Sequence, residues 1–223
     1  MMIAQHSLQL GQTSWVLDYR KAAYLPDHQL LILSDVHLGK VQHFRKNGIA
    51  VPQQAAQQNF TLMQALIDTY KPAHILFLGD LFHSQNNVEH QLLAQLHTAN
   101  PNINLLLVPG NHDSAMLQQL PSYLQPTAVY HQIDNMIFSH HPPANLQPAH
   151  FHCYGHIHPA VEVRGGARQR LKFPSFLYTD AALVMPAFGN FTGSVAANQH
   201  LKQANKALCT SEGLWLMENH KFS

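Results

Sequence analysis

Three short apolar runs, each stopping at a polar cluster, constrain this chain more than any other feature. They are Leu30-Leu31-Ile32-Leu33, Ile75 to Leu78, and Leu105 to Val108. Each is too short for a helix and has no polar alternation, so each reads as a strand buried on both faces. The first ends at Ser34-Asp35-Val36-His37, the second at Gly79-Asp80-Leu81-Phe82-His83, the third at Pro109-Gly110-Asn111-His112-Asp113. Between them the period changes. Ala56, Phe60, Met63, Ile67 and Tyr70 recur at spacings of four and three, with Pro52 suited to the first turn and Pro72 just past the end. Val88, Leu92, Leu96 and Ala99 mark a second helix, stopped near Asn100-Pro101. Strands alternating with helices predict a parallel sheet, and ligands of such sheets bind beyond the carboxyl ends of the strands. The three polar clusters therefore arrive at one rim.

The flanking regions are more β-rich. Strands are predicted at Ser7 to Leu10, Trp15 to Tyr19 and Ala22 to Leu25, the last closed by Pro26-Asp27. Met116 to Leu120 reads as a short helix. Beyond it, strands are predicted at Thr127 to His131, Met136 to Ser139, Ala160 to Val163, Leu171 to Phe173, Ala182 to Val184 and Gly213 to Met217. The plan is an α/β sandwich, two mixed β-sheets flanked by helices, in a single domain over residues 1–223. Apolar residues at 46% are enough to fill such a core, with Trp15 and Trp215 read as part of it.

Charged residues are only 11%, against roughly 25% in ordinary domains, and the formal net charge is +1. A broadly basic nucleic-acid face and an acidic tail are both excluded. Cys153 and Cys209 make no disulfide framework and read as reduced, buried thiols. No basic-then-apolar leader opens the sequence, and no apolar run approaches a membrane span. The expectation is a cytoplasmic protein with no membrane partner.

The outlying count is histidine, 18 in 223 residues. Two later clusters use it: Ser139-His140-His141-Pro142 and Gly155-His156-Ile157-His158. Asp35 and His37 are two apart, as are His156 and His158, so on extended chain each pair points one way. Any one cluster alone reads as a cap, a turn or a surface pair. Five of them, each at a strand end, read as a metal site.

In this order the clusters resemble the calcineurin-like metallophosphoesterase signature. The stretches SDVHLGKVQHFRKNGIAVP and LVMPAFGNFTG further resemble the bacterial DNA-ligase-associated DNA damage response endonucleases, and the likeness runs from about residue 28 to about residue 195. The resemblance implies a calcineurin-like four-layer sandwich. It implies that Asp35, His37, Asp80 and His158 hold one divalent ion, and that Asp80, Asn111, His140 and His156 hold a second. His140 rather than His141 takes this role because the family's histidine follows a strand and precedes a variable residue and a proline. His112 matches the family's uncoordinated histidine beside the substrate. His83 stands where many relatives carry an acidic residue, as in nuclease-like branches, and joins His112 as a catalytic candidate. The departure favours a nuclease or diesterase over a protein phosphatase and leaves open what orients His112.

The chemistry suits the residues. Two ions bring four positive charges against the two carboxylates Asp35 and Asp80, so the pocket attracts phosphate although the chain is nearly neutral. The expected reaction is hydrolysis by a metal-bound hydroxide without a covalent enzyme intermediate, for which Asp35, His37, Asp80, Asn111, His140, His156 and His158 would hold the ions. His112 is the candidate to interact with or protonate the leaving oxygen. Nitrogen and oxygen ligands suit Mn²⁺, Fe²⁺ or Zn²⁺, and the resemblance implies Mn²⁺. Lys40, Arg45 and Lys46 after the first motif, and Arg164, Arg168, Arg170 and Lys172 after the last, are candidates to grip a nucleic-acid backbone. Solvated surface is the plain alternative for both groups. Phe173, Phe176, Tyr178 and Phe188 are read as core before base-stacking.

The expected function is a phosphodiesterase, a DNA endonuclease of repair acting on single-stranded or damaged DNA, with an ATP-dependent DNA ligase and a helicase as partners. Two alternatives stand beside it. One is a small-molecule phosphoesterase, a cyclic-nucleotide diesterase or nucleotide-sugar pyrophosphohydrolase, although no long insertion supplies a lid. The other is a metal-bound scaffold that docks a repair ligase or helicase, against which the intact ligand set and His112 argue.

Overall fold

Residues Leu30–Ser34 form a strand whose two faces enter two different cores. Leu30 and Ile32 pack with Trp15, Phe138, Phe151 and Phe176, whereas Leu31 and Leu33 pack with Phe60, Met63 and Ile67. That is the physical reason for a run with no polar alternation. A computed structural model of the chain describes residues 2–46, 48, 54–83, 88–147, 149–165, 169–190, 192–197 and 203–217. Pro52, read as the start of a helix, lies outside them.

The first sheet contains β1 (Gln5–Leu10), β2 (Thr13–Asp18), β3 (Ala22–Leu25), β4 (Leu30–Ser34), β5 (His74–Leu78), β6 (Asn104–Val108) and β7 (Leu124–Pro126), side by side in sequence order. Pairings from β1 to β4 are antiparallel and those from β4 to β7 are parallel. Helix α1 (Lys40–Lys46) follows β4. Helices α2 (Gln54–Tyr70) and α3 (Val88–Ala99) supply Phe60, Met63, Ile67, Leu93 and Leu96 to the outer core of this sheet.

The second sheet holds β8 (Tyr130–Ile133), β9 (Met136–Ser139), β10 (Phe151–Tyr154), β11 (Pro159–Arg164), β12 (Arg170–Tyr178), β13 (Ala182–Val184), β14 (Val195–Ala196), β15 (Asn205–Cys209) and β16 (Leu214–Met217). Its order is β14-β11-β12-β13-β10-β9-β8, with β15 bridging β12 and β16. It too is mixed, since β10 runs parallel to β9 and β13 while β12 runs antiparallel to β11, β13 and β15. The fold is thus two mixed sheets face to face, with few helices, as expected from the sequence.

Several elements differ from the sequence reading. Thr127 to His131 is not one strand, because the chain leaves the first sheet after Pro126 and joins the second at Tyr130. Met116 to Leu120 shrinks to the 3-10 turn Leu117–Gln119. Strands β10 and β15 and helix α1 were not read at all: His152 interrupts the apolar run of β10, although it is buried there. Trp15 is fully buried, but Trp215 is 42% exposed, because β16, paired with β15 and bridged to Ile3 through Leu214, turns alternate residues outward. Phe176, Tyr178 and Phe188 are buried, and Phe173 is partly so.

Candidate metal centre

Strands β4, β5 and β6 are parallel and in register, with Ser34 level with Leu78 and Leu78 level with Val108. The loops that follow them emerge together. They are laced by main-chain bonds from Asp35 N to Gly79 O (3.2 Å) and from His37 N to Asp80 O (2.9 Å). Strands β9 and β10 are likewise parallel neighbours, with Ser139 level with Tyr154, and they deliver His140 and the Gly155–His158 turn. The segment after β13 closes the rim, with Phe188 N on Ser34 O (2.7 Å) and Gly189 N on Asp35 O (3.1 Å).

The backbone here is not extended, which corrects the reading of paired residues on extended chain. Asp35, His37, Asp80, His156 and His158 all have left-handed φ, at 53°, 51°, 47°, 66° and 50°. Such angles are uncommon for non-glycine residues and cost on the order of 1–3 kcal/mol each, so they persist only where the surroundings enforce them. The lacing bonds do so. Two glycines are also required. A Cβ on Gly79, itself at φ 75°, would collide with the His140 imidazole, and one on Gly155 would collide with Ser34 Oγ.

The polar atoms converge in a way that calls for cations. His140 Nδ1 lies 3.3 Å from Leu78 O, which assigns the proton to Nδ1 and the lone pair to Nε2. That lone pair faces Asn111 Oδ1 at 3.1 Å, His156 Nδ1 at 3.1 Å and Asp80 Oδ2 at 3.5 Å. His158 Nδ1 donates to Gly193 O at 3.0 Å, leaving its Nε2 lone pair 3.0 Å from Asp35 Oδ1. That approach lacks hydrogen-bond geometry, and Asp35 Oδ1 and both His37 ring nitrogens are buried without a hydrogen-bond partner. The other Asp35 oxygen accepts from Ser34 Oγ at 2.5 Å and from His156 N at 3.0 Å, and Asp80 Oδ1 accepts from His112 N at 2.9 Å. Acceptor atoms crowded on acceptor atoms are stable when a metal ion lies among them. Four groups of side chains could each hold an ion: Asp35, His37 and His158; Asp35, Asp80 and His140; His37, His83 and His112; and His140, His141 and His156.

Protonation fits ligand duty. Burial, reinforced by the Lys40 ammonium, pulls His37 down to about 3, so its imidazole is neutral. Burial alone would raise Asp35, but the contacts to His158 and Ser34 outweigh it and hold the carboxyl below its ordinary value. Burial would lower His158, but Asp35 in turn raises it, so without an ion this pair shares a proton that an incoming metal must displace from Nε2. Burial also lowers His156, helped by His140 and His141.

The remaining candidates are placed as follows. His141 is exposed, with its ring 4.4 Å from that of His156. His112 is 44% exposed at the side chain, with Nε2 4.0 Å from Asp80 Oδ2. The His83 ring sits 5.3 Å from that of His112, 5.7 Å from His37 and 5.1 Å from His43. Lys40 starts α1 close enough to shift His37 and His83. Arg45 is exposed on α1, and Arg164 and Arg170 both pair with Glu162 on the β11–β12 hairpin, away from the ligand cluster. Arg168 lies outside the described residues, as does the side chain of Lys46. Sequence reasoning missed Ser34, Lys21, His43, Gly193 and the role of Asp113. Of these Ser34 and Asp113 had a visible signal, as the first and last residues of their clusters, and Gly193 lies in the family-like stretch LVMPAFGNFTG.

The chain matches the calcineurin-like phosphoesterase family over residues 28–175. Among solved structures it is similar to a nuclease, MPE, from Pseudomonas putida, with a TM-score of 0.77 and 20% identity over 96% of this chain and 100% of that one. It is also similar to Yfce, a phosphoesterase from E. coli, at a TM-score of 0.41 and 16% identity over 87% of this chain and 94% of that one. No curated protein matches the sequence.

Proposed function

The chain belongs to the calcineurin-like phosphoesterase family, and on that premise we propose that it is a two-metal phosphodiesterase, a DNA endonuclease working in repair. The observation that carries this reading is the convergence of lone pairs from Asp35, His37, Asp80, Asn111, His140, His156 and His158 where five chain segments meet. Asp35, His37, Asp80 and His158 are the ligands of one ion, and Asp80, Asn111, His140 and His156 those of the other, with Asp80 shared. When bound, the ions supply Lewis acidity and an acidified water. Mn²⁺ is the metal we favour for this donor set.

The chain's own residues do the rest. The Leu78 and Gly193 carbonyls fix the tautomers of His140 and His158 and so aim their lone pairs inward. His112, held by its amide on Asp80 and open to solvent, is placed to protonate the leaving oxygen. His83 and Lys40 flank it, and Lys40 adds positive charge for an approaching phosphate. DNA, single-stranded or damaged, is favoured as substrate by the fold shared with a protein described as a nuclease and by the family-like flanks. On the same resemblance we assign a repair ligase and a helicase as partners. The two buried free thiols suit the cytoplasm, and among the described residues no helix is long and apolar enough to cross a membrane.

The test is Mn²⁺-supplemented cleavage of labelled single-stranded DNA, duplex DNA and cyclic nucleotides, beside elemental analysis of reconstituted protein. DNA cleavage that is lost in Asp80→Ala and Asn111→Ala, together with two ions per chain, is expected. Turnover of cyclic nucleotides alone, or full activity in either variant, overturns the reading.

A further inference from the structure

Lys21 is a partly buried ammonium. It donates to the Phe188 carbonyl at 2.5 Å and lies 5.7 Å from the centre of the Phe188 ring. Among the described residues no carboxylate pairs with it. A buried cation without a counter-charge is unfavourable, and burial lowers Lys21 to about 8. The residue lines a cleft of about 230 Å³ together with His158, Lys172, Asn190, Thr192 and Gly193. None of the residues lining the cleft is acidic. Because His158 belongs to both, the cleft borders the metal centre.

The β11–β12 hairpin extends the same chemistry outward. Ala160 pairs with Pro174, and both line the cleft. Two residues further out, Glu162 pairs with Lys172, and two further again Arg164 pairs with Arg170. Residues two apart on a strand share a face and are spaced by about 7 Å, so these pairs form one row leading away from the cleft. Arg164 and Arg170 both reach Glu162, at 3.4 Å and 3.7 Å, and Lys172 makes no ion pair among the described residues. The row carries three cations against one carboxylate. In a chain with 13 Lys and Arg and a net charge of +1, four of those cations lie on the cleft that His158 lines or on the hairpin row that leads from it.

We propose that this cleft is a second phosphate site, which takes the phosphate adjacent to the scissile one on a single polynucleotide strand, and that the hairpin row guides that strand away. The inference rests on the phosphodiesterase reading above and names the substrate's path. The volume of about 230 Å³ suits one sugar-phosphate unit. A free nucleotide would fill the cleft and leave the row unused. A polymer uses both.

The experiment is inhibition of bis(p-nitrophenyl) phosphate hydrolysis by the metal-loaded full chain. The inhibitors are oligothymidylate, the dinucleotide TpT and inorganic phosphate. Oligothymidylate is expected to inhibit far more tightly than TpT. In Lys172→Ala and Lys21→Met its Ki should rise about tenfold relative to that of TpT, and its log–log salt slope should fall by about 0.7 per residue removed. Lys172 is exposed, so its variant gives an answer even if Lys21→Met fails to fold. Arg164→Ala and Arg170→Ala should matter more as the oligomer lengthens. An unchanged Ki ratio and slope in Lys172→Ala overturns the site while leaving the nuclease reading intact. Oligothymidylate that inhibits as expected and is never cleaved overturns the nuclease reading alone. Inorganic phosphate inhibiting as tightly as the oligomer overturns the polymer path.

Discussion

Asp113 accepts the Phe82 main-chain amide at 2.9 Å through one carboxylate oxygen and the Gly110 amide at 2.8 Å through the other. The carboxylate is fully buried and ties the loop after β5, which carries Asp80, to the loop after β6, which carries Asn111. Asp113→Ala strands two buried donors, at about 1–3 kcal/mol each. Thermal melts should show clear destabilisation, and metal titration a loss of affinity of about 10- to 100-fold, since both loops supply ligands. Asp113→Asn keeps one acceptor and should fall between. Wild-type melting and metal affinity in Asp113→Ala would remove this role.

His112 has its Nε2 4.0 Å from Asp80 Oδ2 and an exposed outer face. A proton donor matters most when the leaving group is a poor one. His112→Asn should therefore lower kcat on a nucleotide diester by about 10²- to 10⁴-fold, and much less on bis(p-nitrophenyl) phosphate, whose leaving group needs no proton. Equal losses on both substrates would point to a structural role. His83→Asn should give the same pattern more weakly, because His83 groups with His37 and His112 and, among the described residues, has no direct contact with Asp80 like that of His112.

Much of this centre was legible because its signals are local. The runs before Asp35, Asp80 and Asn111 are apolar on both faces, and a strand buried on both sides must end in its polar cluster. Other parts were hidden for physical reasons. Left-handed φ at Asp35, His37 and His158 is enforced by main-chain bonds to other loops; Asp and His tolerate it better than most residues but do not dictate it. Lys21 is separated by 137 positions from His158 and reads as one more surface cation until the fold buries it beside Phe188. Strand β10 contains His152 and Cys153, so its composition resembles the loops around it, and only its place between β9 and β13 makes it a strand.

Asp18 is buried and holds Arg20 at 2.7 Å and the Tyr70 hydroxyl at 2.8 Å. Arg20 also reaches Ala65 O at 3.1 Å, so the group locks β2 to the end of α2. Removing the cation leaves a buried carboxylate unpaired, and Arg20→Met should lower unfolding free energy by about 3–5 kcal/mol. Tyr70→Phe should cost about 1.5–3 kcal/mol, as loss of a hydrogen bond to a charged group. Urea denaturation of both variants and of the double variant checks the pair. Strict additivity would show that Arg20 and Tyr70 do not act through the shared Asp18.

Lys21 makes stability depend on pH in a direction that can be derived. Its folded-state value of about 8 lies below the 10.5 of an ordinary lysine, and burial is the main cause. Between those values the unfolded chain binds a proton that the folded chain does not, so this residue makes stability rise with pH. Below about 8 both states are charged and the burial penalty is present in full. Its titrating neighbour, the Cys209 thiol, is pushed up to about 12 by burial and stays neutral across the window. Lys21→Met removes the penalty without emptying the space. The melting temperature of the variant should therefore exceed that of wild type by a constant margin below pH 8, and the margin should close as pH approaches 10.5. Saturating oligothymidylate at neutral pH should shrink the same margin, because a phosphate beside the ammonium supplies the missing counter-charge to wild type alone. A margin that is flat from pH 6 to 10.5 would mean that Lys21 is not held as a costly buried cation.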